Sequence, residues 1–140
     1  MRVLSVVVVL GISLGAGACS RDYTPSALET WPEDPSCGSY ENRNEPVSSE
    51  QRRKNGCLLD ALAEGRRAEL VATFMTVEGD PITEYYRVLG PHRAEVFIDS
   101  TADSYGTQKW THHVCDSVEE DSGFLHGVDC RAISVDEIVS

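Results

Sequence analysis

Residues 70–98 read LVATFMTVEGDPITEYYRVLGPHRAEVFI, and the fold turns on this stretch. Leu70, Ala72 and Phe74 alternate with Val71, Thr73 and Met75, which is the period of a strand. Glu78-Gly79-Asp80-Pro81 has the composition of a turn. Ile82 to Leu89 makes a second strand, and Gly90-Pro91-His92 a second turn. Arg93 to Ile98 alternates again, with Ala94, Val96 and Ile98 on one face. Strands joined by connections this short lie side by side and antiparallel.

Upstream, Ser48 and Gln51 have capping-box spacing ahead of a helix over 49–64. Cys57, Leu58, Ala61 and Leu62 fall on one face of it, and Gly65 is its stop. Downstream, residues 99–107 (DSTADSYGT) form a polar loop. Lys109 to Val114 is a further strand, with Trp110, His112 and Val114 on one face. A last strand is expected near 127–133 and a short one around 37–41. The pattern predicts a single α+β domain over 37–140, with one helix packed on an antiparallel meander sheet of four to five strands.

The chain opens with one basic residue, Arg2, and an apolar run from Val3 through Leu14. Gly15-Ala16-Gly17-Ala18 and Cys19 follow. Basic start, apolar run and small residues are the layout of a secretory signal peptide over 1–18. A run of 12 residues is shorter than the ~20 a spanning helix needs. Ala16-Gly17-Ala18 allows cleavage before Cys19, and the stretch resembles a bacterial lipobox, although Ala16 stands where Leu is preferred. Export with a lipid on Cys19 therefore places the chain at the cell membrane, facing outside the cytoplasm. The alternative is ordinary secretion. Residues 19–36 carry three prolines and no apolar period, so they are expected to form the attachment point and a flexible tether.

Five cysteines are present. An anchor at Cys19 leaves Cys37, Cys57, Cys115 and Cys130, which in an oxidising compartment are expected to form two disulfides. The expected pairing is Cys37–Cys57 with Cys115–Cys130, which links near neighbours; the alternative, Cys57–Cys115, would instead tie the helix to the sheet. Formal net charge is −11, which repels phosphate backbones and excludes nucleic acid as the natural partner.

Alternate turns of a meander lie at one end of the sheet. The 78–81 turn and the 99–107 loop therefore gather Glu78, Asp80, Asp99, Thr101 and Asp103 into one acidic corner. The helix N-terminus, with Arg52 and Arg53, is expected to point toward it. Asp carboxylates in such loops accept backbone N–H groups. The alternating oxygens are also the ligand type calcium takes, making calcium the one cofactor to consider. His112 and His113 are adjacent in a strand and point to opposite faces, so they cannot chelate one ion. Tyr85, Arg87, Phe97 and Trp110 share the sheet face away from the helix. That face either binds a partner or is covered by the chain's own N-terminal segment or last strand.

Two stretches carry a resemblance. Thr76-Val77-Glu78-Gly79-Asp80-Pro81-Ile82, and Asp99-Ser100-Thr101-Ala102-Asp103-Ser104-Tyr105-Gly106 followed by Trp110 and Cys115, resemble a family of uncharacterised small bacterial secreted proteins and lipoproteins. The resemblance covers residues 54–115. It implies an extracytoplasmic α+β domain and no particular reaction. It also favours the Cys57–Cys115 pairing, since both cysteines lie inside the matching stretch.

No nucleophile elbow, zinc-protease motif or phosphate loop is present. The expectation is a binding or interaction module of the cell envelope whose partner is an envelope protein or a small ligand. A structural or cation-stabilised envelope protein is the alternative, ahead of an enzyme. Processing provides the first test: the intact mass of the mature protein should correspond to a chain starting at a diacylglyceryl-modified Cys19. An unmodified Cys19 terminus in a soluble fraction would exclude the anchor.

Overall fold

The computed structural model describes residues 25–33 and 35–134. The signal segment 1–18, Cys19 and the start of the tether lie outside the described residues. Among the described residues no helix is long and apolar enough to cross a membrane.

The main helix, α2 (Ser49–Ala63), starts and stops where side-chain chemistry dictates. Ser48 Oγ accepts from the Gln51 N–H at 3.0 Å, satisfying one of the helix's orphan donors. At the other end Arg66 N–H reaches Ala61 O at 2.8 Å and Gly65 N–H reaches Leu62 O at 3.1 Å. This is the Schellman pattern, and it needs the left-handed Gly65 (φ +65°). The buried stripe is Gln51, Asn55, Leu58 and Ala61, with Cys57 and Leu62 at its edge. It extends further toward the N-terminus than the apolar residues indicate, because its first two members are amides.

The strands are β1 (Ser39–Asn42), β2 (Ala68–Met75), β3 (Pro81–Gly90), β4 (Arg93–Asp99), β5 (Trp110–Cys115), β6 (Ser117–Asp121), β7 (Phe124–Val128) and β8 (Arg131–Ile133). The β2–β5 meander is antiparallel as expected. The full sheet corrects the expectation: it has six strands in the order β1-β2-β3-β4-β5-β8, and β6–β7 forms a separate two-stranded sheet. β1 pairs with β2 in parallel, because a strand that returns through a crossover helix comes back in the same direction. β1 reads Ser-Tyr-Glu-Asn and carries little strand signal. The strand expected near 127–133 is divided between the end of β7 and β8, and the pairing of β7 with β6 in a hairpin of its own departs from the expectation. The hairpin's turn residues Ser122 and Gly123 both have positive φ, 54° and 91°, the conformation of a two-residue turn matched to strand twist. The flanking Glu119, Glu120 and Asp121 mask the alternation in β6.

Leu70, Ala72, Tyr86, Val88, Ala94, Val96 and Cys115 are buried and belong to one face of the sheet, as the strand register requires. Helix α2 packs over the β1–β3 part of this face, and the β6–β7 hairpin lies over the remainder. Helix and hairpin are clasped by the Gly123 carbonyl. It accepts from Gln51 Nε2 and from Asn55 Nδ2, each at 2.9 Å. Asn42 Nδ2 in turn donates to Gln51 Oε1 at 3.0 Å, and Val47 packs where a Gly123 side chain would stand.

Two disulfides close the arrangement. Cys37–Cys57 ties the segment before β1 to α2, and Cys115–Cys130 closes the base of the hairpin. Gly127 of β7 lies against the second bridge so closely that a Cβ there would overlap both sulfurs.

The opposite face of the sheet carries the N-terminal segment. A short helix, α1 (Ser26–Glu29), leads to Trp31. The Trp31 ring meets Tyr85 edge-on at 5.6 Å, and the Arg87 guanidinium lies 4.5 Å over it. Hence the part of 19–36 that is described is a docked strap and not a flexible tether. Its polar composition hid one aromatic anchor with a cationic partner, a combination that adds stacking and cation–π attraction to burial.

The clasp can be tested directly. Asn55 is fully buried, so Asn55→Ala should lower unfolding free energy by about 1–3 kcal/mol. Hydrogen-exchange protection should fall first at the β6–β7 amides. A uniform loss across the domain would show that the clasp does not fasten the hairpin.

Candidate functional site

The acidic corner assembles at one end of the sheet. Asp80 Oδ2 accepts from the Ser104 N–H at 2.8 Å, joining the turn to the loop. Asp99 Oδ1 accepts from the Thr101 N–H at 2.9 Å and from its hydroxyl at 2.6 Å. Asp103 Oδ1 accepts from the N–H groups of Tyr105 and Gly106 at 3.1 and 2.9 Å. These are bonds that hold loops in shape. Glu78 is exposed at the turn tip. Arg52 finds Glu120 of β6 at 3.9 Å rather than the corner, since the hairpin takes the place beside the helix start. Among the described residues no group of three or more His, Cys, Asp or Glu side chains is arranged to hold a metal.

The aromatic face is not open. Tyr85 and Arg87 lie under Trp31, and Phe97 is buried at 1% exposure. Trp110 stands beside Tyr85 at 5.7 Å. Phe97 stacks on His112 at 4.0 Å with the rings 9° apart. His112 Nε2 is 3.7 Å from Glu95 Oε1, and Arg87 Nη1 is 3.8 Å from Glu95 Oε2. Both separations are too long for hydrogen bonds, so the attraction is electrostatic. The imidazole chiefly, with the Arg87 and Arg93 charges, holds the Glu95 carboxyl below the usual glutamate range against the opposing effect of burial.

A cavity of about 320 Å³ lies on the other face, between the sheet and the hairpin. Its floor is Val96 and Ile98 of β4, its far wall Leu125, His126 and Gly127 of β7, and its end the Cys115–Cys130 bridge. Glu84 and Tyr86 of β3 and His113 of β5 supply polar groups. Across the sheet Glu84 stands in a row with Tyr40, Ala72 and Ile98. A second cavity, about 270 Å³, lies under the strap beside Arg67, Glu69 and Arg87.

Glu84 and Tyr86 form the chemical centre of the larger cavity. The Tyr86 hydroxyl is 2.6 Å from Glu84 Oε2 and 3.1 Å from the Leu125 carbonyl. A phenol has one proton for these two acceptors. A protonated Glu84 would donate to the phenol and release that proton for Leu125. An ionised Glu84 competes for it. Burial pushes the Glu84 carboxyl up, and Tyr86 donation only partly offsets this. Burial also raises the Tyr86 phenol well above its usual value, with the Glu84 charge adding to the effect.

None of the cavity's polar residues carries a sequence motif. Glu84 sits on the apolar phase of β3, between Ile82 and Tyr86 on the same face. That misplaced charge is the one signal that points to it. His113 and His126 come together only because the hairpin folds back.

Opposite pH behaviour should follow for the two half-buried glutamates. Native Glu84 holds its proton more tightly than the unfolded chain does. Its contribution is thus present below the ordinary glutamate range and is lost as pH rises through its raised native value. Glu84→Gln should therefore gain stability relative to wild type as pH rises to neutrality. Native Glu95 is lowered, so its contribution is present at neutral pH and is lost as pH falls through its native value. Glu95→Gln should destabilise at neutral pH and converge on wild type in acid. Denaturant midpoints across pH check both, and parallel curves for the two variants would refute the assignment. The chain matches no protein-family model, no curated protein and no solved structure.

Proposed function

We propose that this chain is an exported envelope lipoprotein, anchored through Cys19, whose domain is a binding module for a small ligand. The sheet–hairpin cavity carries the proposal. At about 320 Å³ it lies at the small end of ligand pockets, which run from roughly 300 to 1,000 Å³. It combines an apolar floor with few polar groups, the usual composition of a site that orients one small molecule. Its walls are fixed by a disulfide and by the Gly123 clasp, so little ordering would accompany binding.

The signal-like segment, the lipobox-like Cys19 and the resemblance through the 76–82 and 99–106 stretches support an extracytoplasmic setting, and the two disulfides agree with it. Cys115 and Cys130 at the cavity wall are bridged, so they offer no thiolate for covalent chemistry. That favours binding over catalysis.

Titration of the ¹⁵N-labelled mature domain with a library of small organic fragments tests the proposal. Chemical-shift changes should cluster at the amides of Glu84, Tyr86, Ile98, Leu125 and Gly127. Hits that map only to other surfaces, or no hits, would reject the cavity as the site.

A further inference from the structure

Glu84 is an ionisable, half-buried group without a cation of its own among the described residues. The Lys and Arg ion pairs among the described residues join Arg43 to Glu41, Arg52 to Glu120, Lys54 to Glu50, Arg66 to Glu64 and Arg87 to Glu95, and His112 also faces Glu95. None involves Glu84, and no Lys or Arg lines its cavity among the described residues. A carboxylate removed from water is costly unless it is paired. Tyr86 supplies one hydrogen bond to Oε2 and shares its only proton with Leu125. No described residue donates to Oε1.

The charge of an occupant follows from this. An anion would enter beside Glu84 with no fixed positive charge to receive it, in a chain of net charge −11. A hard divalent cation wants six or more oxygens, and the cavity lining holds one carboxylate. An organic ammonium group needs only one carboxylate and directs its N–H donors at it. The rest of such a molecule would lie on Val96, Ile98 and Leu125, gaining the free energy of apolar burial.

We infer that the sheet–hairpin cavity takes a small organic ammonium ion, with its nitrogen on Glu84 and its hydrocarbon part on Val96, Ile98 and Leu125. The inference rests on the binding-module proposal and narrows it to a ligand class. Tyr86 positions the Glu84 carboxylate. His113 and His126 border the site.

The test uses three probes of equal length, n-pentylamine, n-pentanol and pentanoate, titrated into the mature domain at about pH 8, where an alkylamine keeps its charge as a lysine does. The amine should perturb the amides of Glu84, Tyr86 and Leu125 and bind at least about tenfold more tightly than the alcohol, the scale of a charge-assisted hydrogen bond. Pentanoate should not bind. Glu84→Gln, checked for folding by its amide spectrum, should bring the amine down to the level of the alcohol. Equal binding of amine and alcohol to wild type would overturn the cation assignment while leaving an apolar pocket intact. Preferential binding of pentanoate would overturn it in favour of an anion site at His113 and His126. If none of the three binds, the cation assignment falls, and an empty fragment screen would then reject the pocket itself.

Discussion

The Gly123 carbonyl oxygen is the point on which the architecture closes. It takes two amide donors, from Gln51 and Asn55, and neither donor faces water. A buried amide without a partner costs about 1–3 kcal/mol, so the hairpin turn and the helix each need the other. Gly123 itself has a positive φ, and a side chain there would overlap Val47. Conformation, packing and hydrogen bonding thus converge on one residue. The rest follows from it: with the hairpin fixed over β3–β5, Tyr86 can reach Leu125 O, the Cys115–Cys130 bridge can close beneath it, and the space left between becomes a cavity instead of an open sheet face.

Legibility in the sequence tracked the source of the signal. The β2–β5 meander was readable because apolar alternation and Gly/Pro turns are local properties of residues 70–98. Helix α2 was readable from Ser48, Gln51 and Gly65, which act on the backbone within one turn of themselves. The short strand expected around 37–41 is β1, but its parallel pairing was not readable, and neither was the β6–β7 hairpin. Ser39–Asn42 gains its place through a parallel partner reached across a helix, and nothing local announces that. Asp121-Ser122-Gly123-Phe124 does hold a turn signal in Ser-Gly, but three acidic residues before it conceal the strand. Asp80 meets the 99–107 loop through the Ser104 N–H, a juxtaposition that turn parity in a meander makes a matter of topology. The cavity was invisible, since it exists only between a strand that was expected and a hairpin that was not.

The two faces of the sheet treat carboxylates in opposite ways. Glu95 is given cationic neighbours on β3 and β5, and its charge is a stabilising feature. Glu84 is given a phenol and apolar surroundings, and its charge is a liability to the isolated fold. Proteins retain such liabilities mainly where function uses them. The contrast within one sheet, between the neighbouring strands β3 and β4, sets Glu84 apart more firmly than its burial alone.

The docked Trp31 also changes how far the domain can wander. Were residues 19–36 a free leash, about 18 extended residues would allow roughly 60 Å of reach. With Pro25 already buried and Trp31 seated on Tyr85, only the six steps from Cys19 to Pro25 remain, or about 20 Å. On the proposed lipid, the domain would ride within its own diameter of the bilayer, with the strap-bearing face nearest the headgroups. The sheet–hairpin cavity would then open on the far side, toward whatever diffuses past the membrane.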